Sequence, residues 1–261
     1  GGTSGVPTPV LTSGEPDAPA LAGVTSISAG ASHTCALVSG SIYCWGDNAR
    51  GQLGDGTTTP SPAPVAVTGL MGTPTEVVTG NDHSCALVEG GDVFCWGANA
   101  SGELGKGTIG DDSLTGAKVP SLTGVTAIVA GGQHTCVTTA AGAAMCWGEN
   151  GSGQVGDGNS QDLSAPLEIL TGVELVGLGG AHSCAVVGGN LLCWGTNGSG
   201  QLADASRLFS ADPVSVVSPA TTADQIVAGT NHTCSLLAGA VHCWGTNANS
   251  ELGNDSNIGS G

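Results

Sequence analysis

The sequence predicts an all-β fold, a β-propeller built from four-stranded blades. One motif recurs five times with a period close to fifty residues, and Gly, Pro, Asn and Asp cluster between short apolar runs. No segment of useful length has the 3.6-residue period of an amphipathic helix. A period of this length across almost the whole chain indicates propeller blades or a solenoid. We therefore treat residues 1–261 as one repeat domain.

The repeat is defined by two cysteines and a Trp-Gly pair that directly follows the second cysteine. The predicted repeat cores are 24–69, 75–120, 125–169, 173–217 and 224–257. The cysteine pairs are Cys35 and Cys44, Cys85 and Cys95, Cys136 and Cys146, Cys184 and Cys193, and Cys234 and Cys243. The tryptophans are Trp45, Trp96, Trp147, Trp194 and Trp244.

Each repeat divides into four strands, as the first one illustrates. VTSISAG (24–30), HTCALV (33–38), IYCWG (42–46) and APVAV (63–67) are apolar or β-branched runs bounded by turn residues. In the second and third strands, alternate residues on both faces are apolar. A sheet that is apolar on both faces needs a neighbouring sheet against each, which is the arrangement of stacked blades.

The spacing of the cysteines predicts that they face each other across a hairpin. Ser39 and Gly40 form a two-residue turn, which places Cys35 opposite Cys44 in a non-hydrogen-bonded pair, with Cα atoms roughly 4.5–5.5 Å apart. In repeats two and three the turn has one more residue and so does the cysteine spacing, so the register is kept. This distance suits a disulfide.

Three states of the cysteines follow from this arrangement. Five cross-strand disulfides are the favoured prediction, because an even number of cysteines in facing pairs is typical of an oxidising compartment. Reduced core cysteines and a repeated His-Cys-Cys metal site are the alternatives. The metal interpretation is weakened because the sequence has neither a C-x-x-C knuckle nor a fixed fourth ligand.

A histidine precedes each first cysteine by two residues: His33, His83, His134, His182 and His232. Five equivalent histidines favour a structural role, a hydrogen bond to the backbone of a neighbouring blade, over a unique catalytic base. The tryptophans point to the face opposite the cysteines, and core packing is favoured over an aromatic binding platform.

Composition limits the partners and cofactors. The net charge of −17 with four basic residues argues against nucleic-acid binding, and no apolar run reaches the ~20 residues of a membrane helix. No cofactor is predicted, with calcium as an alternative at the loop carboxylates of Asp47, Asp55, Glu149 and Asp157, although the D-x-D-x-D-G spacing is absent. Sequons begin at Asn99, Asn150, Asn197, Asn231 and Asn254, and matter only in a eukaryotic secretory host.

The run G-x-x-H-[ST]-C followed by C-W-G-x-N-x-x-G-[QE]-L-G resembles the regulator of chromosome condensation repeat family, over roughly residues 6 to 257. The resemblance implies a propeller of four-stranded blades, usually seven. Its paired cysteines are similar to those of the bacterial extracellular branch. The absence of a long insertion and of a basic surface argues against the nuclear exchange role of other members.

The ends of the chain raise the question of closure. TPVLTSG (8–14) matches APVAVTG (63–69), a fourth strand, and we expect residues 6–14 to complete the last blade, in the same chain or in another copy. Five blades then form a five-blade ring, an open arc or part of a larger assembly.

We expect a non-catalytic, secreted or surface-exposed scaffold that binds a protein partner or itself, with head-to-tail filaments as one form. A secreted inhibitor or adhesin that uses a propeller face is the first alternative. An extracellular lyase or hydrolase is the second, and it lacks a unique acid-base constellation.

Overall fold

The computed structural model describes residues 5–15, 17–204, 208–217 and 223–254. These residues form nineteen β-strands in five antiparallel sheets and no helix, which confirms the all-β prediction. None of the described segments is therefore a helix that is long and apolar enough to cross a bilayer.

Each sheet is one blade, and its strands follow one another in chain order. The first blade contains β1 (Val24–Ala29), β2 (His33–Val38), β3 (Ser41–Gly46) and β4 (Ser61–Ala66). The second contains β5 (Pro74–Thr79), β6 (His83–Val88), β7 (Val93–Gly97) and β8 (Ser113–Lys118). The third contains β9 (Val125–Ala130), β10 (His134–Thr139), β11 (Ala144–Gly148) and β12 (Leu163–Leu170). The fourth contains β13 (Val173–Leu178), β14 (His182–Val187), β15 (Asn190–Thr196) and β16 (Phe209–Ser215). The fifth contains β17 (Gln225–Ala228), β18 (His232–Leu237) and β19 (Ala240–Gly245).

The central hairpin of each blade has the predicted register. Val38 pairs with Ser41 around the two-residue turn, and Cys35 lies opposite Cys44. Where the turn has three residues, the third is a glycine with positive φ, 85° at Gly91. That left-handed conformation strains residues with a Cβ, so the turn requires glycine there.

All five facing cysteine pairs are disulfide-bonded. Their Cα atoms lie 4.0 to 4.1 Å apart, somewhat closer than the predicted spacing. The described chain leaves no cysteine free. Each bridge joins the two middle strands of one blade, so it staples a blade and does not link blades.

The hydrophobic core lies between blades. At the first interface Cys35, Leu37 and Ile42 of blade one pack against Val77 and Trp96 of blade two. Equivalent side chains fill the next three interfaces. Each blade therefore presents its cysteine face to the following blade and its tryptophan face to the preceding one.

The two terminal blades expose the faces that inner blades bury. Ile27 on blade one is 65% exposed, whereas its counterpart Val77 on blade two is 2% exposed. Val241 on blade five is 69% exposed, whereas its counterpart Ile42 is 2% exposed. The five blades thus form an arc whose end faces do not pack against each other.

No strand pairing joins the described part of the N-terminal segment, residues 5–15, to the described strands of the last blade. Leu11 forms an isolated antiparallel bridge with Ala20, which precedes β1 in the chain. Among the described residues β19 has only β18 as a neighbour. The expected completion of the last blade by residues 6–14 stays a prediction.

Candidate functional site

A hydrogen-bonded chain crosses each interface between blades. At the first interface the Nε2 atom of His33 lies 2.8 Å from the Oγ atom of Ser84 on the next blade. The Ser84 hydroxyl donates to the backbone carbonyl of Gln52 at 3.1 Å. The indole N–H of Trp96 donates to the same carbonyl at 2.9 Å. One carbonyl of blade one therefore accepts two side-chain donors from blade two.

These contacts set the tautomer of the histidine. Because the Ser84 hydroxyl donates its proton to Gln52, its oxygen is the acceptor and His33 must donate through Nε2–H. The histidine thus reaches a hydroxyl and not the backbone group that the sequence suggested. The Ser or Thr that follows each histidine directly is part of the sequence motif in all five repeats, but no role was predicted for its hydroxyl.

The histidine-to-hydroxyl and indole-to-carbonyl contacts repeat at the other three interfaces, and the hydroxyl-to-carbonyl bond repeats at the last two, from Ser183 to Gln154 and from Thr233 to Gln201. His83, His134 and His182 contact the hydroxyls of Thr135, Ser183 and Thr233 at 2.8 to 2.9 Å. Trp147, Trp194 and Trp244 donate to the carbonyls of Glu103, Gln154 and Gln201 at 2.7 to 2.9 Å. The contacts of the histidine and of the indole are the same at four interfaces, which gives these groups a shared role in joining blades.

The inner histidines are neutral because they are buried. Burial lowers the pKa of His83 and His134 to about 3, and that of His33 and His182 to about 4. The Nδ1 atoms of these four rings are buried without a hydrogen-bond partner. A protonated ring would need a partner there, so a proton-transfer role at neutral pH is disfavoured.

A glycine three residues before each histidine makes room for the ring. A Cβ atom placed on Gly80 would overlap the His83 ring and approach the carbonyl oxygen of Gly131 on the next blade. The G-x-x-H spacing of the motif therefore reflects close packing of the ring on the backbone.

Two further side chains brace the long loop after each Trp-Gly, and the sequence motif contains both without a predicted structural role. In the first repeat the Oδ1 atom of Asn48 accepts from the Leu53 backbone N–H at 2.9 Å. The Oε1 atom of Gln52 accepts from the Arg50 backbone N–H at 2.8 Å. Asn recurs three positions after every motif tryptophan, and Gln or Glu seven positions after it. That fixed spacing was the available signal.

Burial of the same asparagines affects the sequons. Asn99, Asn150 and Asn197 are buried and their amides take part in these loop hydrogen bonds, whereas Asn231 is exposed. Of these four sequons, only Asn231 offers its amide at the surface.

The loop carboxylates considered for calcium are hydrogen-bonded within their own loops. Asp47 accepts from Gln52, and Glu149 from Gln154. Asp55 and Asp157 accept from the backbone two residues on, in Asx-type turns. No three metal-ligating side chains converge in the described part of the chain.

A depression of about 340 Å³ lies where the inner loops of all five blades meet. Its lining consists of Gly, Ala, Thr and Leu residues with one asparagine, Asn81. Acid-base catalysis requires a titratable group near the substrate, and this lining supplies none.

At the two ends of the arc the interface groups have no counterpart. On blade one, Trp45 is half-buried and Thr34 lies beside it, with no side-chain hydrogen bond of either within the described chain. On blade five, backbone hydrogen bonds and the nearby ring of His232 lower the pKa of the Glu251 carboxyl, and the Nε2 atom of that ring has no hydrogen bond to another blade in the described ranges. One molecule thus exposes a tryptophan face on blade one and a cysteine face on blade five, the two kinds of face that meet at each interface between blades.

Comparison with known proteins identifies the repeat. Residues 2–259 match the family model described as an RCC1-like domain. The ultraviolet-B receptor UVR8 of Arabidopsis thaliana is 37% identical over 172 residues, which cover 62% of this chain and 39% of UVR8. The human probable E3 ubiquitin-protein ligase HERC3 is 35% identical over 172 residues, 63% of this chain and 16% of that protein.

Solved structures agree on the fold. Human WBSCR16 has a TM-score of 0.79 at 22% identity, with 91% of this chain and 65% of that chain covered. Saccharomyces cerevisiae Prp20p, described with its binding to Gsp1p and histones, has a TM-score of 0.77 at 20% identity, with 91% and 61% covered. The chain spans under half of the two curated relatives and under two thirds of these solved chains. The match over nearly every residue, together with the repeated His-Cys and Cys-Trp-Gly motifs, shows that the chain belongs to the RCC1-like domain family.

Proposed function

We propose that the chain is a non-catalytic protein-binding scaffold of an oxidising, extracellular compartment. The observation that carries the proposal is the pair of open end faces. Ile27 and Val24 on one face, and Val227 and Val241 on the other, are exposed apolar side chains at positions that contact a neighbouring blade elsewhere. Contiguous exposed apolar surface of this kind is typical of protein contacts.

The proposal includes self-association, because each end face corresponds to a face that packs against a neighbouring blade inside the molecule. A sedimentation-velocity series of wild type, Ile27→Arg and Val241→Arg tests it. We expect the wild type to sediment faster as concentration rises, and each arginine variant to remain near the 25.1 kDa monomer. Burying an unpaired charge in an apolar contact is strongly unfavourable.

Ser160→Arg is the matched control, since it adds the same charge at an exposed loop position of blade three, an inner blade that carries neither end face. It should associate like the wild type. A wild type that stays monomeric at every concentration would contradict the self-associating form of the proposal.

The proposal of an oxidising compartment is based on the five disulfides, since disulfides persist where thiols are not kept reduced. Mass spectrometry of the protein from its native source, after blocking of free thiols and without reductant, should find all ten cysteines paired. Free thiols throughout would point to a reducing compartment instead.

A second candidate, an inhibitor or adhesin that binds through the loop face, is favoured by one feature of blade four. Leu208 is 82% exposed and Phe209 is 51% exposed, where blades two and three carry Asp111-Asp112 and Gln161-Asp162. An exposed aromatic side chain beside an exposed aliphatic one adds apolar surface of the kind that marks protein contacts. The double variant Leu208→Ser, Phe209→Ser should associate with itself normally but capture fewer proteins from its native extracellular medium than the wild type.

A further inference from the structure

A cavity of about 130 Å³ lies between blades three and four, beside the first strands of both. β9 and β10 supply one wall and β13 supplies the other. The lining is mostly apolar: Ala127, Ile128, Val129, Leu175 and Val176, with Thr138 and Glu174. Apolar cavities of roughly this size take up molecules as large as benzene.

The cavity is present because blade three carries two short side chains where other blades carry longer ones. Ala127 on β9 and Thr138 on β10 are cross-strand partners. The corresponding partners in blade two are Glu76 and Leu87. The other four blades each have a leucine in this pair: Leu37, Leu87, Leu175 and Leu236. Blade three therefore lacks both a leucine and a carboxyl group at this place.

Blade two shows what the equivalent space holds when it is filled. The Oε2 atom of Glu76 accepts a hydrogen bond from the backbone N–H of Ile128 on blade three, at 3.3 Å. This N–H points away from β10 and towards the preceding blade, where the glutamate supplies its acceptor. Burial raises the pKa of the Glu76 carboxyl, so this position favours an uncharged group.

At the interface between blades three and four the corresponding N–H has no such acceptor. Val176 on β13 has the register position that Ile128 has on β9, so its N–H also points towards the preceding blade. Ala127 stands in the place of Glu76 and has no acceptor atom in its side chain. No bond from the Val176 N–H to the backbone of another blade is present in the described chain. This donor is left for water or for a ligand that carries an acceptor.

The charge around the cavity selects the kind of ligand. Glu174 is exposed at the rim, and its Oε1 atom accepts from the Gly189 backbone N–H at 3.1 Å, which holds the carboxylate there. The lining includes no Lys, Arg or His. An anion would lie close to a like charge without a counter-charge, and a cation would lose its hydration against an apolar wall. The lining therefore favours an uncharged molecule.

We infer that the cavity between blades three and four binds a small uncharged organic molecule with a branched apolar body and a carbonyl oxygen. The apolar body takes the place of the missing leucine. The carbonyl oxygen takes the place of the missing glutamate oxygen and accepts from the Val176 N–H. The site lies between two inner blades, so it is independent of the end faces and of self-association.

Isobutyramide is a suitable probe because it joins an isopropyl group to an uncharged carbonyl. We expect it to shift the amide resonance of Val176 saturably when it is titrated into the ¹⁵N-labelled full chain. Isobutyrate, which has nearly the same shape but is charged at neutral pH, should shift it far less. The absence of a saturable shift with isobutyramide would overturn the inference, and equal shifts with both molecules would overturn the preference for an uncharged ligand.

A single substitution tests the location of the site. Ala127→Glu gives blade three the side chain that blade two already holds at this position, so it should occupy the cavity and abolish the shift at Val176. Gln225→Glu is the matched control, since it places the same carboxyl at the equivalent register position of blade five and should leave the shift unchanged. A shift that persists in Ala127→Glu would place the probe elsewhere and overturn the inference.

The reciprocal change tests whether the two short side chains make the site. The double variant Glu76→Ala, Leu87→Thr copies the blade-three pair into blade two, so isobutyramide should now also shift the amide resonance of Ile128. A dispersed amide spectrum shows that the variant is folded. A folded double variant in which Ile128 does not respond would overturn the assignment of these two positions as the determinants of binding.

Discussion

At the scale of single residues, the molecule is held together by neutral polar groups that connect one blade to the next. His83 illustrates the balance. Its Nε2 atom lies 2.9 Å from the Thr135 hydroxyl oxygen, while its Nδ1 atom is buried without a hydrogen-bond partner. This environment stabilises the neutral ring and penalises the charged ring, so stability becomes sensitive to acid.

We predict that stability falls as the pH drops below about 6.5. In the folded state burial lowers the pKa of His83 and His134 to about 3, from an ordinary value of 6.5, while in the unfolded state the rings bind protons near that value. The unfolded state therefore takes up more protons between these limits. The stabilisation is complete above pH 6.5 and is lost progressively towards pH 3. Urea midpoints measured across this range should decrease steadily as the pH falls.

His83→Gln is the informative variant for this prediction. Its amide can still donate to Thr135, but it does not titrate, so the slope of midpoint against pH should become shallower than in the wild type. A slope that the substitution leaves unchanged would assign the acid sensitivity to other groups.

The indole hydrogen bonds allow a comparison between buried and open positions. Trp96→Phe removes the donor to the Gln52 carbonyl and leaves a gap in a closed interface. We expect it to cost about 1–3 kcal/mol of unfolding free energy. Trp45→Phe makes the same change on the open face, where the indole is half-buried, and should cost about 0.5 kcal/mol or less. Equal losses in denaturant titrations would contradict the interface role.

At the scale of the element, the hairpin is the unit that the chain repeats. Its two-residue turns need positive φ at both positions, and two of them place a residue with a Cβ there. Ala238 has φ of 49°, whereas the equivalent Gly188 has φ of 55°. Alanine is strained in this region, and asparagine and glycine tolerate it better.

Ala238→Asn should therefore raise the melting temperature, by an amount equivalent to about 0.5–1 kcal/mol. The reciprocal change in blade four, Gly188→Ala, should lower it by a similar amount, and no side chain or backbone atom lies close enough to clash there. Thermal melts of the two variants check the prediction, and shifts of the same sign in both would contradict it.

The hairpin also explains why much of the fold was predictable from the sequence. The register of Cys35 with Cys44 follows from local turn length, and turn length and cysteine spacing vary together in the sequence. The contacts of His33 were harder to predict from the sequence, because its partner Ser84 is one repeat away and belongs to another blade. The sequence contained the hydroxyl at a fixed spacing, but only the packing of two blades shows which histidine it meets.

The open end faces were not predictable from the pattern. Ile27 and Val77 occupy equivalent positions and are both apolar, yet one is exposed and the other is buried. The difference comes only from whether a preceding blade is present. The motif has the same form in blade one and blade two, so it cannot encode that difference.

At the scale of the whole molecule, the arc behaves as a short linear array in which each blade contacts its neighbours. In such arrays stability is a sum of blade and interface terms, and an end unit has one interface where an inner unit has two. Blades two, three and four each bury both faces, while blades one and five each leave one open. The ends should therefore open more readily than the middle, although all five blades contain the same disulfide staple.

We predict that amide hydrogen exchange shows this gradient. In dilute monomer, the amides of β2 and β18 should exchange faster than those of β6, β10 and β14, because local opening of an end blade breaks one interface and that of an inner blade breaks two. Raising the protein concentration should slow exchange selectively in the end blades if these faces are the contacts between copies. Uniform protection across the five blades in dilute monomer would contradict the array description. Slowing confined to the inner blades would place the contact between copies elsewhere on the molecule.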